Sequence, residues 1–350
     1  MARKIRVGLI GAGWWATYAH IPGLLAHPDA EIAAVARRSP DKLAAVAGRY
    51  GIPRTFTDYR EMIHSVDLDA VVISLPHNAH YPAAKYALEH GLSILLEKPM
   101  TLRASEAREL VRLAEAGGLQ IVMSYPYHYT PNGLQAKKWI QGGEIGEVQF
   151  VSTLFASGVY PLVKGEKVEG GSEVFPFEPP PVSTYADPEI AGGGQGQTQT
   201  THPASFVFWA TEAQPAEVSA MMGNADLKMD IFNAITYRCT DGMIGCLAST
   251  GTAAGGHLGQ NEHRFYGSKG FILIELNQGT LSLHKFGQPP VVFDPGLMGD
   301  RYPRFAPVQN LVDCLLGRAE NNSPGIYGAR SVELVEAAYK SAASGHVEKI

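Results

Sequence analysis

The first 124 residues alternate short apolar runs with segments of helical spacing, and that alternation restricts this part of the chain to a parallel, doubly wound sheet. Apolar strand patterns at 5–10, 31–36, 70–74, 92–96 and 119–124 are separated by helical patterns at 15–26, 41–50, 58–64, 81–90 and 103–117. Parallel strands need such crossovers, since a tight turn cannot return the chain to the same end of the sheet. The first βα junction reads Gly11-Ala12-Gly13-Trp14-Trp15-Ala16, a G-x-G-x-x-A pattern that follows a strand and opens a helix. In that context Gly11 permits the tight turn, Gly13 lets the backbone approach a pyrophosphate, and Ala16 lets helix and strand pack closely. The helix N-terminus favours the phosphates' charge. A dinucleotide is therefore the expected ligand. Of Trp14 and Trp15, one is expected to wall the nicotinamide pocket and the other to pack, and the sequence does not say which.

At the end of the second strand a carboxylate ordinarily bonds the adenosine ribose of NAD, but here the chain reads Ala36-Arg37-Arg38-Ser39. With no acid available, Arg37 or Arg38 is matched to a 2′-phosphate, so NADP is favoured and NAD stays possible. The bland alternative is a solvated pair of loop arginines.

A run Ile94-Leu95-Leu96 ends in Glu97-Lys98-Pro99, which sets a carboxylate and an ammonium at the carboxyl end of a buried strand, where ligands of such sheets bind. A plain surface ion pair is the competing reading for Lys98.

After about residue 124 the pattern changes. A helical stretch at 132–142 is followed by β-branched and aromatic runs at 147–155, 216–222, 231–239, 243–250, 262–266, 271–275 and 280–285, with turn signals such as Asp241-Gly242 and Asn277-Gln278-Gly279 between them. This half reads as an α+β domain with a large open, mostly antiparallel sheet. Helical stretches near 305–317 and 326–344 close the chain, and the last is expected to pack back on the first domain. The expected division is 1–124 and 125–350. Within the second, 158–196 looks irregular, with Pro176, Pro179, Pro180 and Pro181; in its 158–191 part Lys164, Glu166, Lys167 and Glu169 lie near Tyr160, Phe175, Phe177 and Tyr185, which suits a roomy or lidded pocket or a subunit contact.

Composition narrows the class. Of 350 residues 45% are hydrophobic and 18% charged, and the net charge of −5 offers no electrostatic footprint for nucleic acid or an anionic membrane. The N-terminal run Met-Ala-Arg-Lys-Ile-Arg-Val enters a strand directly and has no secretory pattern, so the cytoplasm is the default. Cys239, Cys246 and Cys314 lack metal-ligand spacing and read as reduced thiols, and no metal is expected.

Taken together, Gly11 to Ala16, Leu75-Pro76-His77-Asn78-Ala79-His80, Glu97-Lys98-Pro99, Gly143-Glu144-Ile145-Gly146-Glu147 and Asp187 to Gly194 resemble the glucose-fructose oxidoreductase and inositol dehydrogenase (Gfo/Idh/MocA) family over nearly the whole chain. The resemblance implies an N-terminal Rossmann domain and a sheet domain whose outer face makes a homo-oligomer, a dimer or tetramer. It also implies nicotinamide-linked chemistry on a ring hydroxyl of a sugar, glycoside or polyol. It extends the cofactor set to Leu75, Pro76 and His80, with Glu97 and Lys98. The family's lysine and histidine pair maps onto Lys98 and His202, and its usual aspartate, four residues earlier, onto position 198.

Two departures stand out. Thr198 replaces the aspartate, and a hydroxyl is no general base near neutral pH. Tyr127-His128-Tyr129-Thr130-Pro131 lacks the arginine expected before an aromatic-x-Pro. The expected substrate set is Lys98, Tyr125, Tyr127, His128, Gln197, Thr198, Thr201 and His202. The competing readings are a satisfied structural histidine at 202 and a polar loop that bonds only its own backbone. Hydride removal from a carbinol requires a base within reach of its hydroxyl, and an imidazole titrates near working pH. His202 is thus the expected base, with Lys98 steadying the oxygen. Two rival functions remain: a redox-neutral enzyme that retains its cofactor, and a non-enzymatic sugar or dinucleotide sensor.

Overall fold

The computed structural model describes residues 3–167, 177–254, 259–294 and 300–350. Glu169, Phe175 and Pro176 of the irregular stretch lie outside the described residues. Contacts divide the chain into two compact units, one of Met1–Ser124, Lys167–Thr184 and Arg304–Ile326, the other of Tyr125–Glu166, Tyr185–Pro303 and Tyr327–Ile350. The segments 167–184 and 304–326 thus belong with the first 124 residues, although a simple division at 124/125 would assign them to the second domain.

The first unit is built on six parallel strands: β1 (Ile5–Ile10), β2 (Ala30–Ala36), β3 (Thr55–Phe56), β4 (Ala70–Ile73), β5 (Ser93–Leu96) and β6 (Ile121–Met123). Their order is β3-β2-β1-β4-β5-β6. Both faces of the sheet are covered, which is why β4 and β5 are buried throughout rather than alternating. The two-residue β3 is too short to leave a period in the sequence. The order reverses between β1 and β4, and this switch point is where such sheets take their ligands. The helix Ala306–Leu315 joins the same core through Val308, Leu311 and Val312, packed with Val7, Leu9 and Val122. Its amphipathic face says that it packs on something, not on which sheet. The final helix, Gly325–Ser344, belongs mostly to the second unit and contributes Leu334 and Ala338 to its core.

The second unit holds nine strands: β7 (Val148–Ala156), β8 (Pro215–Gly223), β9 (Phe232–Cys239), β10 (Ile244–Thr250), β11 (Gln260–Gly267), β12 (Gly270–Glu275), β13 (Thr280–Lys285), β14 (Val291–Val292) and β15 (Glu348–Lys349). They are ordered β14-β13-β12-β11-β7-β10-β9-β8-β15. Every pair is antiparallel except β7 with β10, so the sheet is mixed. Strict alternation of buried and exposed residues along β9 marks one covered face. Helices Pro131–Gln141 and Thr201–Thr211 contribute Ala136, Ile140, Phe206, Phe208 and Trp209 to the core beneath it. The second of these helices, buried on nearly every side, has no amphipathic period and leaves no helical signal.

The 158–196 stretch is less irregular than its composition suggests. It contains short helices Tyr160–Lys164, Val182–Ala186 and Pro188–Ala191. The last is started by Asp187, whose side chain accepts from Glu189 N at 3.0 Å, with proline at the first helical position.

Candidate active site

In the first unit the glycine turn lies between β1 and β4. Gly11 has φ +87°, and a Cβ there would stand 2.2 Å from the Ser74 carbonyl oxygen and 2.9 Å from Leu75 Cδ2, so no other residue fits without moving the strand end. At Gly13 the situation is opposite. A Cβ would meet only Glu178 Oε1, at 3.7 Å, and the backbone is left open to a ligand. A helical run at 14–25 follows and contains a π turn at Ala16–His20, a distortion common at functional sites. A tight turn at the switch point, an approachable backbone and a helix start together fit a dinucleotide's pyrophosphate. Trp14 and Trp15 meet edge to face at 5.1 Å, and Trp15 also leans on Tyr18 at 5.7 Å.

The two arginines after β2 differ. Arg38 is exposed, whereas Arg37 is pinned. Its Nη1 donates to the Ala12 carbonyl at 2.5 Å and its Nη2 to Glu178 Oε1 at 2.5 Å, while Lys42 Nζ holds Glu178 Oε2 at 2.7 Å. The expectation of NADP rested on an arginine with no acid nearby, and a carboxylate from position 178 is in fact its partner. Nothing in the local sequence around 37 signals a partner that far along the chain.

At the end of β5, Glu97 is buried and its Oε1 lies 2.8 Å from His20 Nε2, while Oε2 accepts from Lys98 N at 3.2 Å. Burial works to raise the Glu97 carboxyl, yet the His20 hydrogen bond and charge, Ser124 and Lys98 hold it below its ordinary value. Lys98, on a cis peptide with Pro99, is partly accessible. Burial lowers its ammonium below the usual lysine range, and Glu97 opposes that fall. Lys98 is therefore not a plain surface ion pair. Sequence reading missed His20, whose only signal is a histidine on the apolar side of the first helix.

His80 is a correction. It is fully buried, its ring wedged between the Pro99 carbonyl, 2.7 Å from Nδ1, and the Leu75 carbonyl, 2.9 Å from Nε2, with one N–H to donate when neutral. It ties the Leu75-Pro76 turn to the Glu97-Lys98-Pro99 corner instead of facing a cofactor.

In the second unit a helical run at 195–211 carries His202, and again a π turn, Gly196–Thr200, interrupts it. Asp230 shapes the approach. Its carboxylate accepts from Gly194 N (2.9 Å), Gly196 N (2.7 Å) and the Tyr339 hydroxyl (2.5 Å). A Cβ on Gly194 would stand 1.8 Å from Asp230 O, which is the physical reason for glycine there. Neither Asp230 nor Tyr339 was a sequence candidate, because their link to the glycine run exists only in three dimensions.

The His202 ring lies among Tyr125 (5.8 Å), Tyr127 (6.0 Å) and Phe155 (6.4 Å). Gln197, Thr198 and Thr201 are all buried in the same helical run, beside His202 in sequence. The Thr198 hydroxyl donates to the Gly194 carbonyl at 2.7 Å, a local helical bond rather than a proton-transfer post. Two expected substrate contacts are corrected. His128 is fully buried and stacked on Trp209 at 4.6 Å, with burial and Lys137 holding its imidazole well below the ordinary value. Tyr125 is equally buried, its hydroxyl 3.1 Å from Ser331 Oγ. Both are core residues: Tyr125 meets the His202 ring, and His128 packs on Tyr125 at 5.3 Å. Tyr127 donates to Asn277 Oδ1 at 2.6 Å. Among the described residues no group of histidine, cysteine and acidic side chains is arranged to hold a metal ion, and no helix is long and apolar enough to cross a membrane.

A switch-point glycine turn on a β3-β2-β1-β4-β5-β6 sheet defines the first unit as a dinucleotide-binding Rossmann fold, and the second unit is built on a large open sheet. The chain belongs to the Gfo/Idh/MocA family: the family model for the oxidoreductase NAD-binding Rossmann fold matches residues 5–125, and that for the GFO/IDH/MocA C-terminal domain matches 134–273. Among curated relatives, dTDP-3,4-didehydro-2,6-dideoxy-alpha-D-glucose 3-reductase of Streptomyces antibioticus is 31% identical over 153 residues, 43% of this chain and 46% of that protein. The matched stretch thus spans about half the length of that relative. An oxidoreductase domain protein from Kribbella flavida superposes with a TM-score of 0.84 at 19% identity, covering 99% of each chain. Levoglucosan dehydrogenase in complex with NADH and L-sorbose does so with a TM-score of 0.82 at 19% identity, again over 99% of each. At such identities these structures show the shared fold.

Proposed function

We propose that the protein is a nicotinamide-linked dehydrogenase or ketoreductase that moves a hydride between the cofactor and a ring carbinol or ketone carbon of a sugar, glycoside or polyol. The bound nicotinamide supplies the hydride acceptor or donor. The observation that carries the reading is the ordered corner at the end of β5, where His20 holds Glu97 and Glu97 holds the Lys98 backbone. In the oxidative direction Lys98 hydrogen-bonds the substrate oxygen and stabilises the negative charge that develops as the hydroxyl proton leaves. His202 accepts that proton, and in the reductive direction returns it. The lowered ammonium pKa of Lys98 makes it a better hydrogen-bond donor to an alkoxide than an ordinary lysine. Gln197, less buried than Thr198 and Thr201, supplies a hydroxyl-directed contact near His202, while those two threonines are as buried as Tyr125 and His128 and stay part of the helix packing.

A panel of sugars, glycosides and polyols followed by the absorbance of the reduced nicotinamide tests this reading, with turnover on at least one class expected. No turnover with any member, in either direction, counts against it. The outer face of the second sheet carries exposed Phe150, Leu154, Met221, Phe232 and Ile244 on adjoining strands, and we propose that it forms a homo-oligomer. A monomer mass by light scattering contradicts that.

A further inference from the structure

The strand end that ordinarily carries the ribose-binding acid carries Arg37 here, and the acid arrives from elsewhere. Glu178 sits in the first unit next to Phe177, which packs against the core of the parallel sheet and anchors the segment. Its carboxylate lies between the β2 end and the glycine turn: one oxygen on Arg37 Nη2, the other on Lys42, and the first 3.7 Å from the point a Gly13 Cβ would occupy. The Arg37–Glu178 pair is sheltered, with side chains only 14% and 19% exposed, so it is not a loose surface contact. Arg37 is fixed on its other side by the Ala12 carbonyl, which locks the carboxylate's position to the turn itself.

We propose that Glu178 is the residue that sets cofactor preference, and that it selects NAD over NADP by placing a carboxylate where the adenosine ribose is read. This rests on the dinucleotide reading of the glycine turn. A carboxylate accepts hydrogen bonds from both hydroxyls of an unmodified ribose. A 2′-phosphate brings about two further negative charges against it and competes for the same two cations, Arg37 and Lys42. In this arrangement Arg37 serves as the clamp of the acid and not as the receptor of a phosphate, the opposite of what Arg37 alone suggests.

Quenching of tryptophan fluorescence in the full chain, which carries Trp14 and Trp15 beside the turn, reads the affinities for NADH and NADPH without requiring a substrate. The wild type is expected to bind NADH more tightly. Glu178→Gln is expected to weaken NADH and tighten NADPH, moving the ratio of the two dissociation constants by at least ten-fold, while Glu178→Asp keeps the NADH preference. Equal weakening of both nucleotides makes Glu178 a structural strap, and equal tightening makes it a plug in the phosphate site; either overturns the proposal. A wild type that prefers NADPH overturns it too. Failure of the wild type to bind either nucleotide is a different result, and it overturns the dinucleotide reading itself.

Discussion

Gly13→Ala separates cofactor binding from folding in a way few substitutions at a glycine turn can. The added methyl meets a single neighbour, Glu178 Oε1, at 3.7 Å, which is ordinary contact, and the backbone there does not have positive φ. Folding is therefore expected to be unharmed, or helped by about 0.4–1 kcal/mol through reduced freedom of the unfolded chain. The methyl instead occupies the space through which a pyrophosphate reaches the backbone. Losing one charge-assisted hydrogen bond of about 1.5–3 kcal/mol lowers affinity about ten- to hundred-fold. Gly11→Ala provides the contrast. Positive φ at that position costs about 1–2 kcal/mol for an alanine. In addition, its Cβ would stand 2.2 Å from the Ser74 carbonyl, so the β4 end has to retreat by roughly 1 Å to regain contact distance. Urea unfolding and NADH titration of both variants give the answer. The expected result is a stable Gly13→Ala that binds poorly and a Gly11→Ala that loses both. If Gly13→Ala binds NADH like the wild type, the open backbone at that glycine is not the pyrophosphate cradle.

Two further outcomes follow from buried titratable groups. Glu97 raises the Lys98 pKa against the pull of burial, so Glu97→Gln lowers it further, and the alkaline loss of activity, which tracks loss of the ammonium, moves to lower pH; a basic limb that stays in place would show that Lys98 does not act as an ammonium. His263 is buried between Thr153 Oγ1 (3.1 Å) and Asn261 Oδ1 (2.9 Å), one acceptor-type and one donor-type bond that suit a neutral ring, and burial pushes its pKa down to about 3. The native state stays neutral while the unfolded chain takes up a proton below its own value near 6.5, so stability falls as pH drops through that window. At about pH 4.5 the loss is about 2–3 kcal/mol, and His263→Gln should flatten the acid branch of the urea-unfolding profile by about that amount. An unchanged acid branch would assign the acid sensitivity to other groups.

Much of the architecture was legible because it is written in periods. Strands 5–10 and 280–285 fall where the apolar alternation puts them. What was hidden lacks a local period. The helix Thr201–Thr211 is apolar all round, β3 has two residues, and the 306–315 helix looks the same whichever sheet it covers. The site divides similarly. The glycine turn and the Glu97-Lys98-Pro99 corner are contiguous motifs. His20, Glu178 and Asp230 act across 77, 141 and 36 residues of chain, where no spacing rule reaches. A histidine beside a motif carries no mark of its burial in the sequence, and the fold buries both His80 and His128.

The most direct test of the account is Lys98→Met, measured for NADH affinity and for turnover on a sugar identified by the panel. Turnover is expected to fall by about 10²–10⁴ with the fold intact, and nucleotide affinity by far less than turnover. A Lys98→Met protein that turns over at the wild-type rate contradicts the claim that the chemistry runs through the end of β5.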